Sequence, residues 1–191
     1  MLINQQRREI NFKIVYYGTA EGGKTTNLEY IYSHVNPKQR GELVSIKTQG
    51  DRTLFFDFLY IELSEINGLR PKFNFYTVPG QTMYAASRRL VLRGVDGVVF
   101  VADSQDDRLQ ANIESLAELK KYLHEGGNQL SEFPFILQCN KQDLATATPP
   151  QELSGQLGLN GQPCFGSVAT EGDYVFDTMK AIINQVTRKR S

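Results

Sequence analysis

The chain has 191 residues, which suits one domain with a sizeable core, and 40% of its residues are hydrophobic. Its 21 basic and 21 acidic side chains give a formal net charge of zero. Nucleic-acid-binding proteins usually carry a basic excess, so the composition argues against that class. The apolar runs are too short to cross a bilayer, and the polar residues 1–13 show no signal-peptide pattern. We therefore expect one cytoplasmic domain spanning residues 1–191.

Segments with strand and helix character alternate along the chain. A short apolar run ending at Gly18 precedes a helical pattern, and two aromatic runs then flank Asn67-Gly68, which is a hairpin signal. Beyond this hairpin the alternation resumes, which indicates a mostly parallel sheet covered on both faces. The sequence thus predicts one three-layer α/β domain with one antiparallel edge strand. The predicted strands cover residues 11–17, 53–62, 72–78, 97–102, 133–139 and 164–168, and the predicted helices cover residues 24–35, 108–124, 151–156 and 174–189.

A glycine-rich stretch lies between the first of these strands and the first helix. Residues 18–25 read GTAEGGKT and match the pattern G-x-x-x-x-G-K-[ST]. Glycines let backbone amides approach phosphate oxygens, Lys24 reaches the β- and γ-phosphates, and the Thr25 hydroxyl ligates Mg²⁺. The helix N-terminus adds positive charge there. The alternative is a glycine-rich turn without a ligand. The predicted phosphate-binding residues are Gly18, Glu21, Gly22, Gly23, Lys24, Thr25 and Thr26.

A second motif follows the predicted strand 133–139, at the sheet edge where ligands of open α/β sheets bind. Its residues Asn140, Lys141 and Asp143 form the pattern Asn-Lys-x-Asp. A carboxylate accepts hydrogen bonds from the ring N–H and the exocyclic amine of guanine, a pairing that adenine does not offer. The Lys141 stem can cover the ring face. For Asp143 the alternative is a helix or turn cap. Backbone amides after the last strand, at Val168, Ala169 and Thr170, are candidates to meet the guanine O6.

These motifs, together with Pro79-Gly80-Gln81, resemble those of small Ras-like GTPases. The closer similarity is to the bacterial MglA-type members, and it extends from about Arg8 to Val186 through REINFKIVYYG, GKTTNL, DRTLFFDF, YTVPGQ, LRGVDGVVFVADS and NKQDL. The resemblance implies a Ras-like P-loop fold, GTP and GDP as ligands, Mg²⁺, and a switch in polarity or motility that acts on effector proteins. It also implies a roadblock-type, MglB-like partner that stimulates hydrolysis, and a strand that shifts with nucleotide state.

The same resemblance suggests roles for residues near the γ-phosphate. The Gly80 amide meets the γ-phosphate and Gln81 orients the attacking water, although Gln81 also fits a solvated loop. Thr77 stands where other GTPases carry an Asp that helps to hold Mg²⁺, a replacement that the MglA type shares. Its hydroxyl is expected to bond a Mg²⁺-bound water. Thr25 and Thr53 are the candidate metal ligands, although Thr53 also suits a strand as a β-branched residue.

An arginine in cis is the remaining catalytic candidate. Arg52 directly precedes Thr53, and the resemblance implies that the roadblock partner aligns it rather than donating its own arginine. The alternative is a solvated charge. Ala20 occupies a loop position where side chains crowd the γ-phosphate and slow hydrolysis in Ras-like proteins. Asp103 is a possible metal-linked acid, but a turn cap is the favoured interpretation.

Two other function classes remain open from the sequence. A nucleoside kinase shares the phosphate loop, but it would need an arginine-rich lid and has no use for Asn-Lys-x-Asp. A nucleotide-held binding scaffold that hardly hydrolyses GTP fits Thr77 and Ala20, whereas Gln81 opposes it. Residues 188–190 are basic without a terminal Cys, and Leu2 replaces the Gly needed for N-myristoylation, so we expect no stable membrane insertion.

Overall fold

The computed structural model describes residues 2–47, 55–65, 68–80 and 84–188. Within these ranges the chain forms eight strands and five α-helices. The strands are β1 (Leu2–Asn4), β2 (Glu9–Gly18), β3 (Val44–Lys47), β4 (Phe55–Glu62), β5 (Arg70–Thr77), β6 (Gly97–Asp103), β7 (Phe135–Asn140) and β8 (Cys164–Ser167). The helices are α1 (Lys24–His34), α2 (Ala85–Val91), α3 (Leu109–Glu125), α4 (Pro150–Gln156) and α5 (Val175–Arg188).

One sheet contains all of these strands in the order β3-β4-β5-β2-β6-β7-β8, with β1 paired to the beginning of β2. Strands β5, β2, β6, β7 and β8 are parallel neighbours, whereas β3 and β4 join antiparallel at one end. The predicted α/β fold and its antiparallel hairpin are confirmed, since Phe58 of β4 pairs with Tyr76 of β5. Strands β1 and β3 and helix α2 were not predicted. The two strands form two further antiparallel pairs, β1 with β2 and β3 with β4.

The sheet is buried on both faces because helices cover it on both sides. Helices α1 and α5 pack on one face, and α2, α3 and α4 pack on the other. Strand β6 shows the result, since all seven of its residues are buried. Val99 and Val101 point to the first face, and Val98 and Phe100 point to the second. Each such apolar side chain stabilises the fold by about 1.5–3 kcal/mol.

The parallel strands all end at the same edge of the sheet, and this edge positions the site. The loops that follow β2, β6, β7 and β8 therefore meet there, as expected for ligand sites in open α/β sheets. The phosphate loop follows β2, and the Asn-Lys-x-Asp motif begins at the last residue of β7. In the part of the chain that the structure describes, the helices are all too short or too polar to cross a membrane.

Candidate functional site

The phosphate loop connects β2 to α1 and leaves the helix N-terminus without a side-chain cap. Gly23 takes the N-cap position with φ 99°, and no side chain bonds to the first amides of α1. Uncapped amides at a helix N-terminus form an anion site. A Cβ atom at Gly23 would collide with the side-chain nitrogen of Asn140, so glycine is also required by packing. The preceding Glu21 adopts a left-handed φ of 61°, which aids the turn of the loop.

Lys24 lies inside this loop, with 6% of its surface exposed. Its Nζ atom donates to the carbonyl oxygen of Gly18 at 3.1 Å and to that of Thr19. Burial lowers the pKa of Lys24 to about 8, and repulsion from Arg88 acts in the same direction. A buried ammonium of this kind gains strongly from an anionic partner, because the charged form is poorly solvated. The loop therefore holds a cation ready for phosphate oxygens.

The two motifs line one cavity of about 210 Å³. This cavity brings the phosphate loop together with the Asn-Lys-x-Asp motif and the amides after β8. A neighbouring cavity of about 320 Å³ lies along the phosphate loop toward β5. The first is lined by Glu21, Gly23, Thr26, Asn140, Lys141, Asp143, Leu144, Val168, Ala169 and Thr170. The second is lined by Ala20, Glu21, Lys24, Thr25, Thr77, Val78, Pro79, Gly80 and Tyr84.

Asp143 stands at the first cavity with its carboxylate exposed. Among the described residues, no hydrogen bond or ion pair involves this carboxylate, so the structure offers no support for a cap role. Lys141 is held differently, since its Nζ lies 2.7 Å from Oδ2 of Asp103 and its φ is 70°. Asp103 also accepts from the Gln105 amide at 3.2 Å, which is the turn cap favoured from the sequence. Both carboxylate oxygens of Asp143 remain available to a ligand.

The Asn140 side chain joins the loops instead of facing the cavity with free polar atoms. Its Nδ2 donates to the Gly22 carbonyl at 2.9 Å, and its Oδ1 accepts from the Ala169 amide at 2.9 Å. The Ser167 hydroxyl also donates to Oδ1, at 3.2 Å. The phosphate loop and the loop after β8 are thereby fixed to the end of β7. Asn140 thus contributes to the site by holding its two walls in register.

A buried carboxylate, which the sequence analysis did not single out, lies beside the phosphate loop. Asp57 of β4 is 3% exposed. Its Oδ2 accepts from the Thr25 hydroxyl at 2.7 Å and from the Thr77 hydroxyl at 2.9 Å, and its Oδ1 accepts from the Ser45 hydroxyl at 2.7 Å. The Asp57 amide donates back to the Thr77 hydroxyl at 2.9 Å. Thr77, which replaces the expected Asp, therefore orients a carboxylate that comes from a neighbouring strand.

The sequence contained one signal for this residue. An acidic side chain lies alone in the apolar run Phe55-Phe56-Asp57-Phe58, in a segment predicted to be a strand. Burying a charge costs free energy unless polar partners bond to it, so this pattern indicates that Asp57 has polar partners from other parts of the chain.

Comparison with known proteins identifies the family. A sequence model of the ADP-ribosylation factor family matches residues 1–186. "Mutual gliding-motility protein MglA" of Myxococcus xanthus (strain DK1622) is 51% identical over 184 residues, which are 96% of this chain and 94% of that protein. The chain belongs to the small Ras-like GTPases of this family, and it is of the MglA type. The family resemblance and the GTPase function expected from the motifs are confirmed, and the GTPase binds guanine nucleotides.

The oxygen groups of this GTPase beside the phosphate loop suit Mg²⁺. They are the hydroxyls of Thr25 and Thr77, two residues that line the 320 Å³ cavity, and the Asp57 carboxylate to which both hydroxyls donate. Mg²⁺ prefers oxygen ligands and keeps several waters, so few protein groups are needed. In the described ranges there is no cluster of three or more His, Cys, Asp or Glu side chains that would hold another kind of metal.

The loop that follows β5 in this GTPase touches the phosphate loop directly. A Cβ atom at Gly80 would collide with the backbone nitrogen and Cα of Ala20, so glycine is required at this contact. The remaining predicted residues, Gln81, Arg52 and Thr53, lie outside the described residues, and their roles stay predictions.

Proposed function

We propose that this GTPase binds GTP with Mg²⁺, hydrolyses it to GDP, and acts as a nucleotide-dependent switch in cell polarity or motility. The observation that carries the proposal is the cavity shared by the phosphate loop and the Asn-Lys-x-Asp motif, with Asp143 unengaged at its wall. The biological role comes from the gliding-motility function in the name of the 51% identical relative. Because GTP is a cytoplasmic nucleotide, the proposed place of action is the cytoplasm.

Each part of the nucleotide has protein groups assigned in this proposal. Lys24 and the amides of the phosphate loop bind the phosphates, together with the Gly80 amide. Asp143 binds the guanine edge, and the Lys141 stem covers the base. The proposed nucleotide-binding residues are Gly18, Glu21, Gly22, Gly23, Lys24, Thr25, Thr26, Gly80, Asn140, Lys141, Asp143, Val168, Ala169 and Thr170.

The proposed Mg²⁺ ligands from the protein are the hydroxyls of Thr25 and, in the GTP state, Thr53. Thr25 donates its proton to Asp57, so its lone pairs are free for the metal. A carboxylate behind a metal ligand orients it and raises its basicity. Asp57 therefore replaces the carboxylate that is missing at Thr77. Bound Mg²⁺ supplies positive charge that neutralises the phosphate oxygens.

Asp57→Asn is expected to lower the Mg²⁺ affinity of the nucleotide complex by about 10–100-fold, the usual effect of losing a group that supports a metal ligand. The reason is that an amide nitrogen donates, whereas the structure places proton donors around both Asp57 oxygens. The measurement is the dissociation rate of a fluorescent GDP analogue across a Mg²⁺ titration.

The matched control moves the charge to the position where other GTPases carry it. Adding Thr77→Asp to Asp57→Asn should restore most of the Mg²⁺ affinity, because a carboxylate again lies beside Thr25. Normal Mg²⁺ affinity in Asp57→Asn, combined with a loss in Thr77→Ala, would contradict the assignment. That result would favour a direct bond from Thr77 to a Mg²⁺-bound water.

Hydrolysis in this proposal depends on Gln81 to orient the attacking water and on Arg52 to neutralise charge on the γ-phosphoryl group. Regulation by partner proteins accords with the MglA-type family, and we assign a roadblock-type, MglB-like protein as the activator. Effector proteins would recognise the GTP-bound form.

The decisive test is phosphate release by the purified protein under multiple turnover, with and without a roadblock-type partner. We expect slow release alone and a marked increase with partner. A second candidate function is a nucleotide-held scaffold. Ala20 favours it, since its backbone packs directly against Gly80 and side chains at this loop position slow hydrolysis in Ras-like proteins. GTP binding without phosphate release in either condition would favour that scaffold.

A further inference from the structure

A buried arginine and a half-buried glutamate form an ion pair that connects helix α2 to helix α3 near the phosphate loop. Arg88 is 4% exposed, and its Nε and Nη2 atoms donate to the two carboxylate oxygens of Glu118 at 2.7 and 2.8 Å. Such a two-point pair fixes the plane of the guanidinium group as well as its position. Burial would lower the pKa of Arg88 and raise that of Glu118. The hydrogen bonds between them overcome both effects, so both groups are charged.

The third nitrogen of the same guanidinium group holds the loop that precedes Gln81. Nη1 of Arg88 donates to the Pro79 carbonyl at 3.2 Å. Pro79 is followed by Gly80, which packs against Ala20 of the phosphate loop without room for a Cβ atom. Gln81 comes next in the sequence. The guanidinium group thus lies one hydrogen bond from the backbone that leads into the water-orienting residue.

Packing alone does not fix this loop against α3. A cavity of about 440 Å³ lies between them, and its lining includes Ala20, Gly80, Arg88 and Glu118. Across a cavity the loop lacks the close contacts that hold side chains in a protein interior. A hydrogen bond from a buried cation, which is stronger than one between neutral groups, replaces them.

Two tyrosines also donate hydrogen bonds to Glu118. The Tyr17 hydroxyl donates to Oε2 of Glu118 at 2.6 Å, and Tyr17 directly precedes the first residue of the phosphate loop. The Tyr122 hydroxyl donates to Oε1 of Glu118 at 3.0 Å. Burial, and then the hydrogen bond to Glu118, raise the pKa of Tyr17, so its hydroxyl keeps the proton that it donates. The Glu118 carboxylate of α3 therefore accepts hydrogen bonds both from α2, through Arg88, and from β2, the strand before the phosphate loop, through Tyr17.

We propose that Arg88 is a positioning residue for GTP hydrolysis, which fixes the segment Pro79-Gly80, directly before Gln81, against the phosphate loop by way of Glu118 and the Pro79 carbonyl. The inference rests on the proposed function, since it concerns the hydrolysis assigned there to Gln81. Arg88 does not contact the reacting atoms in this role. It restricts the positions that the loop can occupy, and small displacements of groups near a reacting centre reduce rates strongly.

Arg88→Lys tests the inference most directly. Lysine keeps the positive charge and can reach Glu118, but it has one nitrogen and cannot hold Glu118 at two points and Pro79 at the same time. We expect single-turnover hydrolysis of bound GTP to fall about tenfold or more, as for other displaced catalytic groups. The dissociation rate of a fluorescent GDP analogue should stay within about threefold of the original, since Glu118 and Pro79, to which Arg88 donates, are not assigned to the nucleotide.

The matched control is Arg89→Lys, on the same helix. Arg89 pairs with Glu125 of α3 through Nη2 at 3.0 Å, but its side chain is 60% exposed, and within the described residues no hydrogen bond joins it to Pro79. Both substitutions therefore change an arginine pair between α2 and α3, and only one removes the bond to the loop. Hydrolysis in Arg89→Lys should equal that of the original protein.

A second variant keeps the inference testable if single substitutions reduce folding. Arg88→Met combined with Glu118→Gln removes both charges together, so no unpaired charge is buried, and the amide oxygen of Gln still accepts from the tyrosines. Melting temperature and GDP dissociation measure the structural effect, and single-turnover hydrolysis by the folded fraction measures positioning. A fall in melting temperature with unchanged hydrolysis per bound GTP would overturn the role. An equal loss of hydrolysis in Arg89→Lys would also overturn it.

The outcome is separable from the proposed function. Absence of hydrolysis in the unsubstituted protein with its roadblock-type partner refutes the proposed function first. Normal hydrolysis there, together with a normal rate in Arg88→Lys, refutes only the inference about Arg88.

Discussion

Asp143→Asn should lower the affinity for GTP and GDP by roughly 10³-fold and make xanthine nucleotides the better ligands, because the loss of paired hydrogen bonds to a polar edge costs several kcal/mol. Asp143 offers two carboxylate oxygens that the described residues leave unused, at the wall of the 210 Å³ cavity. Guanine presents two donors to such a pair. An asparagine presents one donor and one acceptor, which suits the carbonyl that xanthine carries in place of the amine.

The measurement is competition of GDP, XDP and ADP for a bound fluorescent nucleotide in the original and substituted proteins. Asp177→Asn is the matched control, since Asp177 is exposed on α5 and does not line the cavity. The original protein should prefer GDP to ADP by roughly 10³-fold or more. Equal competition by ADP and GDP would refute the base pocket, and an Asp143→Asn protein with normal GDP affinity would refute the role of this carboxylate.

Arg52→Ala should lower single-turnover GTP hydrolysis by about two or more decades, even with a roadblock-type partner present, while GTP affinity stays within a few-fold. This prediction rests on the position of Arg52 in the sequence. Arg52 stands five residues before Asp57 in the sequence, and Asp57 bonds directly to Thr25 of the phosphate loop. A chain of five residues spans at most roughly 17 Å, so the sequence itself keeps Arg52 within that distance of Asp57.

Arg70→Ala provides the control, because Arg70 is exposed at the start of β5, at the opposite edge of the sheet from the phosphate loop. Its hydrolysis should be unchanged. Retained partner-stimulated hydrolysis in Arg52→Ala would exclude an arginine in cis. A large loss of GTP affinity at an unchanged hydrolysis rate would make Arg52 a binding residue and would equally contradict the catalytic role.

The sequence predicts those parts of the site that a continuous motif encodes. The phosphate loop and Asn-Lys-x-Asp each fix their chemistry within a few residues, so their meeting at one cavity follows from parallel strands that end at one edge. The role of Asp57 could not be predicted from a motif, because its partners Thr25 and Thr77 lie 32 and 20 residues away in the chain. The hydrogen bond from Arg88 to Pro79 could not be predicted either, since this bond depends on how α2 packs against the loop.

For the fold as well, the long elements could be predicted from the sequence and the short ones could not. Long segments with a clear hydrophobic pattern, such as β6 and α3, were predicted within one or two residues of their observed ends. Strand β3 has only the four residues Val44–Lys47 and β1 only Leu2–Asn4, so their patterns are too short to establish a period. Their strand form depends on neighbours, since β1 adds to β2 and β3 adds to β4. Pairing of that kind is decided by tertiary structure rather than by local preference.

The position of Asp57 within a strand has a thermodynamic consequence. Asp57 belongs to β4, and its second oxygen is bonded to Ser45 of β3, the strand at the end of the sheet. A metal ion that depends on this carboxylate binds only when these strands are paired, so its binding free energy adds to the free energy of opening them. Under the proposed Mg²⁺ assignment, we expect the metal to slow amide hydrogen exchange along β3 and β4, although neither strand belongs to the phosphate loop. The proposal thus predicts that the stability of this end of the sheet depends on the metal concentration.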